Sequence, residues 1–160
     1  MSKRKQIEHV RDRMSKLPLT VTSGDSLQSA LDLLYKHNVR ELPVMDHGRL
    51  VGIVTDRDLR QISPSYPVFR DQEEIRVYLQ NLKVASAMTV DPLVISPEAS
   101  LTEAAEMLST YRIGSLPVVE GEKLAGIITV SDILNAFIEE HGRPGSPRLQ
   151  RSGGSDGPRS

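Results

Sequence analysis

The chain has 160 residues, with 20 Lys and Arg against 21 Asp and Glu, and it lacks cysteine altogether. That length fits one well-buried domain, or two halves of about 60 residues that would each be marginal alone and so share a core. Disulfides, thiolate nucleophiles and Cys-ligated zinc are excluded, the even charge gives no bulk reason to expect nucleic acid, and no apolar run reaches the length of a membrane span or signal-peptide core, so a soluble, cytoplasmic protein without membrane association is expected.

In chain order, Ile7, Val10 and Met14 fall at helical spacing among Lys3, Arg4, Lys5, Arg11 and Arg13, which predicts a short amphipathic helix over residues 1–15 with a solvated basic face. Residues 18–22, opening on Pro18, read as a short extended segment. A helix comes next, with Leu27, Ala30, Leu31 and Leu34 on one stripe. Residues 41–45 and 50–54 are β-rich and flank Asp46-His47-Gly48-Arg49, a turn-forming cluster, so they read as a hairpin. A further helix is expected to begin at Thr55. Residues 63–83 form an insertion that opens with Pro64 and Pro67 and continues into a helix with Ile75, Tyr78, Leu79 and Leu82 on one stripe, placed to pack on the body or on a partner subunit.

The same order then returns. Residues 92–96 are extended, and a helix carries Leu101, Ala104, Ala105 and Leu108 behind Ser100 and Glu103 at capping-box spacing. Residues 116–119 and 124–128 form a hairpin around Glu120-Gly121-Glu122. The last helix places Ile133, Leu134, Phe137 and Ile138 on one face and stops at His141-Gly142. Residues 142–160 are Gly, Pro, Ser and Arg with four Arg against one Asp, which leaves about −4 on the rest. With so little apolar surface to offset ordering entropy, this tail is expected to be disordered.

Aligned without a gap, residues 10–59 match residues 84–133 at about a third of positions. Met14 falls on Met88, Pro18-Leu19 on Pro92-Leu93, Leu42-Pro43-Val44 on Leu116-Pro117-Val118, and Thr55 and Asp58 on Thr129 and Asp132. The chain is one unit built twice, repeat 1 over 14–62 and repeat 2 over 84–141, each strand-helix-strand-strand-helix. The expected fold class is α+β, a pseudo-two-fold pair packed through its sheets.

Both copies close on Gly-apolar-apolar-Thr-x-x-Asp, where a strand gives way to a helix. Helix N-termini offer unpaired amides and a positive dipole end, which suit a phosphate, and a hydroxyl there adds a donor. Asp58 suits the vicinal hydroxyls of a ribose better than a phosphate. The same spacing is also that of a capping box, in which Thr and Asp do no more than satisfy helix amides.

This doubled signature after an apolar-Pro-Val strand resembles the cystathionine-β-synthase (CBS) domain, over about residues 10–140. The resemblance implies a stand-alone bacterial CBS pair in which the Thr and Asp contact the phosphate and ribose of an adenosyl ligand and apolar strand residues sandwich the adenine. Carried over, Thr55 and Asp58 form one candidate site, with Arg57, Arg40 and Val39; Thr129 and Asp132 form the other, with Arg112 and Ile113. Copy two has Ser131 and Gly114 where copy one has Arg57 and Arg40, so copy one is expected to suit a polyanion better. The insertion, from Tyr66 to Arg70 and into its helix, is also similar to CBS proteins of the acetoin-utilisation type. In function the resemblance implies a regulatory module for AMP, ADP, ATP or a related adenosyl compound, with no required cofactor, a homodimer, and a regulated protein partner. The alternative is a dimerisation domain without a small ligand.

Catalysis finds no support in the residues. His9, His37, His47 and His141 are scattered, with no metal-ligand spacing and no partnered Ser. Glu73-Glu74 and Glu139-Glu140 lie in solvent-facing helical contexts rather than as an acid and base pair. Aromatic residues are too few and too spread for a nucleic-acid stacking platform, so a nucleic-acid partner is not expected.

Overall fold

The computed structural model describes residues 8–16, 18–63 and 71–142. The expectations for residues 1–7, for Tyr66 to Arg70 and for the tail beyond Gly142 lie outside them.

Helices α2 (Leu27–His37) and α5 (Leu101–Tyr111) arise as the periodicity predicts. Ser26 and Ser100 cap them, each hydroxyl accepting from the amide three residues on, Ser29 and Glu103, at 3.1 Å. Both end on a left-handed residue, Asn38 at φ +50° and Arg112 at φ +53°. Strands β2 (Glu41–Asp46) and β3 (Arg49–Thr55) form the first hairpin, reversing on His47 and Gly48, both at positive φ as a two-residue turn of this hand requires. Strands β5 (Ser115–Glu120) and β6 (Lys123–Thr129) form the second. The extended segments before α2 and α5 reduce to single parallel bridges, Val21 to Val44 and Ile95 to Val118, beside a bulge in each hairpin. Helices α3 (Asp56–Ile62) and α6 (Val130–His141) start at the expected threonines, and α6 stops at Gly142. The insertion supplies α4 (Gln72–Asn81), which packs on α2 and buries Leu79, with Ile75 and Leu82 half-buried against the first core.

The sequence does not announce how the halves begin. Helix α1 (Val10–Arg13) and strand β1 (Ser15–Lys16) stand at the head of repeat 1, yet β1 pairs with β6 and Val10 is buried in the second core with Ile95, Leu108, Leu116 and Ile128. Conversely, a single 3-10 turn at Val84–Ser86 and strand β4 (Thr89–Val90) head repeat 2, yet β4 pairs with β3 and Val84 is buried in the first core. Val10 N donates to Ala99 O, and Val84 N to Asp25 O, each at 2.8 Å. Each half therefore holds the other's lead-in, giving sheets of order β2-β3-β4 and β1-β6-β5.

This exchange explains the glycine of the signature. A Cβ on Gly126 would lie 2.5 Å from the Ser15 carbonyl oxygen, and one on Gly52 would lie 2.9 Å from that of Thr89, so only glycine lets the borrowed strand approach. Arg13 ties the same lead-in to α6, donating to Glu8 at 2.8 Å and to Glu139 at 2.5 Å; these two carboxylates push its already high pKa higher. Strands β3 and β6 pack against each other between the two sheets.

Candidate functional site

Both threonines of the signature sit in extended conformation at the last position of a strand, which leaves their hydroxyls aimed at the first turn of the following helix. Thr55 Oγ1 accepts from Asp58 N at 3.1 Å, and Asp58 Oδ2 accepts from Thr55 N at 2.9 Å. In the second copy Thr129 N donates to Asp132 Oδ2 at 2.8 Å, Asp132 N donates to Thr129 Oγ1 at 3.3 Å, and the Thr129 hydroxyl also reaches Asp132 Oδ2 at 3.0 Å. The capping-box geometry is thus formed in both copies.

A cleft of about 370 Å3 opens beside the second of these caps. Ser15, Pro18 and Leu19 line it from the exchanged lead-in, Asn38 to Glu41 from the entry to β2, and Gly114, Ile127 and Thr129 to Ser131 from repeat 2. It therefore joins residues that the linear order separates: Val39 and Arg40 share it with Thr129. Arg40 also closes its own repeat, its carbonyl accepting from Asp56 N at 2.9 Å, as Gly114 O accepts from Val130 N at 3.1 Å. Thr55, Asp58 and Arg57 do not line it; Thr55 lies opposite Glu41 in the first hairpin, and Arg57 is exposed on α3. Ile113 is half-buried against the second core, and Arg112, at the close of α5, is exposed; neither lines the cleft.

Sequence reasoning missed Glu41. Its half-buried carboxyl reaches toward repeat 2, where a Cβ on Gly114 would lie 3.4 Å from its Oε1. Burial raises its pKa, Asp132 across the seam raises it further, and only the neighbouring Arg40 opposes the shift. A charged residue at the head of the apolar run Leu42 to Met45, where the second copy has Ser115, was the available signal.

A second hollow, about 430 Å3, runs along α4 between Asp71, Glu73, Glu74, Val77 and Tyr78. Among the described residues its lining comes from one helix and its N-cap alone, and it is the weaker candidate. Among the described residues no group of His, Asp and Glu is placed to hold a metal ion, and no helix is long and apolar enough to cross a membrane.

The model of the CBS domain family matches residues 7–65 and 84–139, the two repeats in turn. The chain belongs to the CBS domain family. A CBS domain-containing protein of Dictyostelium discoideum is 36% identical over 133 residues, 81% of this chain and 91% of that one. Inosine-5'-monophosphate dehydrogenase of Aquifex aeolicus is also 36% identical, over 79% of this chain but only 25% of its own length, so this chain matches a quarter of that enzyme. Among solved structures, the CBS domain pair of protein MJ0100, in complex with 5'-methylthioadenosine and S-adenosyl-L-methionine, superposes with a TM-score of 0.69 at 29% identity over 84% of this chain and 98% of that one. CBSX2 of Arabidopsis thaliana, in complex with AMP, gives 0.68 at 30% over 82% and 97%. A protein assigned to acetoin utilization (AcuB) in Vibrio cholerae gives 0.67 at 28% over 86% and 99%, in line with the resemblance drawn from the insertion.

Proposed function

We propose that this CBS pair is a regulatory module, without catalysis of its own, that binds an adenosyl compound such as AMP, ADP, ATP or S-adenosylmethionine in the cleft beside Thr129 and passes occupancy on as a change in packing or in a protein partner. The reading extends to a cytoplasmic protein working as a homodimer. The observation that carries it is the cleft itself, built jointly by both repeats, together with the adenosyl ligands held by the CBS pairs of MJ0100 and CBSX2. Its volume falls in the range of about 300 to 1,000 Å3 usual for small-molecule sites. Leu19, Val39, Ile127 and Val130 offer apolar walls for a purine. Arg40 and the amide and hydroxyl of Ser131 suit a phosphate or carboxylate, and Asp132 and Glu41 can accept from ribose hydroxyls. Because the walls come from both repeats and from the exchanged lead-in, a ligand there favours one arrangement of the halves over others.

Thermal melts with AMP, ADP, ATP, S-adenosylmethionine and adenosine test this. Ligand at about a hundred times its Kd stabilises the folded state by about 2.7 kcal/mol, a rise of several degrees. A melting temperature unmoved by every one of them overturns the reading.

A second reading, a dimerisation domain without a small ligand, is favoured by one observation. Helix α6 leaves Val130, Leu134, Phe137 and Ile138 exposed along one side, with Phe137 at 60%. Asp132→Ala separates the two: lost ligand binding with little loss of stability supports the sensor, whereas destabilisation by about 1 kcal/mol with no ligand effect supports the domain whose Thr and Asp only cap helices. Sedimentation of the wild type and Phe137→Glu reports whether this face joins two copies.

A further inference from the structure

We infer that the cleft beside Thr129 takes an adenosyl ligand carrying no more than one phosphate, that Arg40 meets that phosphate, and that Glu41 turns polyphosphates away. This rests on the adenosyl reading above and adds charge selectivity to it.

The charges that line the cleft are few. Among the described residues, Arg40 is the only cation that lines the cleft, and no hydrogen bond or ion pair commits its guanidinium to another side chain. Against it stand Glu41, half-buried and turned across the seam toward Gly114, and Asp132 close behind. One phosphate can be met by Arg40 together with the amide and hydroxyl of Ser131. Each further phosphate brings more negative charge beside two carboxylates, where partial burial weakens screening and a like-charge contact is correspondingly costly. A nucleoside monophosphate, or an adenosyl compound of lower charge, avoids that repulsion.

Isothermal titration of the full chain in magnesium-free buffer with AMP, ATP and adenosine tests the proposal, alongside Arg40→Ala, Glu41→Gln and Arg57→Ser. The expected result is that AMP binds, with ATP at least tenfold weaker. Arg40→Ala weakens AMP about tenfold and leaves adenosine unchanged, the size expected for one charge-assisted hydrogen bond. Glu41→Gln narrows the gap between AMP and ATP several-fold by improving ATP, and Arg57→Ser changes neither. ATP binding as tightly as AMP, or a gap that Glu41→Gln leaves intact, each overturns the inference while the adenosyl reading stands. If none of the three ligands binds and S-adenosylmethionine also fails, the adenosyl reading falls and takes this inference with it.

Discussion

Helices α3 and α6 begin on the same motif and differ in nearly every outward-facing residue beyond it. The amide of Thr55 reaches Asp58 at 2.9 Å, that of Thr129 reaches Asp132 at 2.8 Å, and both hairpins carry their bulge at the same place. Outside that frame, α6 shows solvent Val130, Leu134, Phe137 and Ile138, whereas the equivalent positions of repeat 1 begin with Asp56, Arg60 and Ser63. Asp56 and Arg60 are paired with each other. Positions that close a helix or seat a borrowed strand are held by geometry common to both halves. Outward-facing positions are under no such constraint, and there the halves have become chemically distinct.

Four sets of substitutions test how far this equivalence of frame extends. The largest effect is expected from Gly126→Ala, since its new methyl would meet a backbone oxygen at 2.5 Å; a loss of about 3 kcal/mol is anticipated, and a smaller loss for Gly52→Ala with its contact at 2.9 Å, both read from denaturant unfolding. Next, Val10→Ala and Val84→Ala each remove two methyl groups from a fully buried site in the opposite half's core, and about 2 kcal/mol is expected from each. Unequal losses would mean that one half depends less on its borrowed segment. Thr55→Ala and Thr129→Ala are each expected to cost about 1 kcal/mol as lost caps, and thermal melts of the pair show whether the extra hydroxyl contact in repeat 2 adds to that.

The smallest effect concerns the seam. Burial and Asp132 hold the Glu41 pKa above its ordinary value, so the folded state favours the protonated form. Its stabilising contribution is complete below the ordinary carboxylate pKa, about 4.3, and is lost as pH rises through the raised value. Glu41→Gln should therefore be more stable than the wild type at pH 7, with the difference closing near pH 4. A difference independent of pH would mean that the carboxyl is solvated. The matching substitution in repeat 2, Ser115→Ala, should show no such pH dependence.

Much of the fold was legible because it is written locally. Leu27, Ala30 and Leu34 announce a helix by spacing, His47-Gly48 announces a turn, and Thr-x-x-Asp announces a helix start, each within one turn of chain. The exchange of lead-ins was not legible. Ser15–Lys16 and Thr89–Val90 are two residues long, too short for any alternation to register, and their partners lie more than 30 residues away. The site inherits that blindness. Thr129 was found from its motif and Arg40 from its charge, but their meeting in one cleft depends on the packing of two repeats, which no spacing within either repeat encodes. Glu41 was passed over for the same reason, since only the approach of Gly114 and Asp132 gives its carboxyl an unusual environment.

The reciprocal loan of strands means that neither half is a self-sufficient piece. A fragment confined to the first repeat would keep Ser15–Lys16 with no sheet edge to join and would leave β3 with an empty edge where Thr89–Val90 should lie. Two copies of such a fragment could each fill the other's gap, so cutting the chain in the middle turns an internal clasp into a handshake between molecules. Joining both partners in one polypeptide removes the dependence of that clasp on protein concentration.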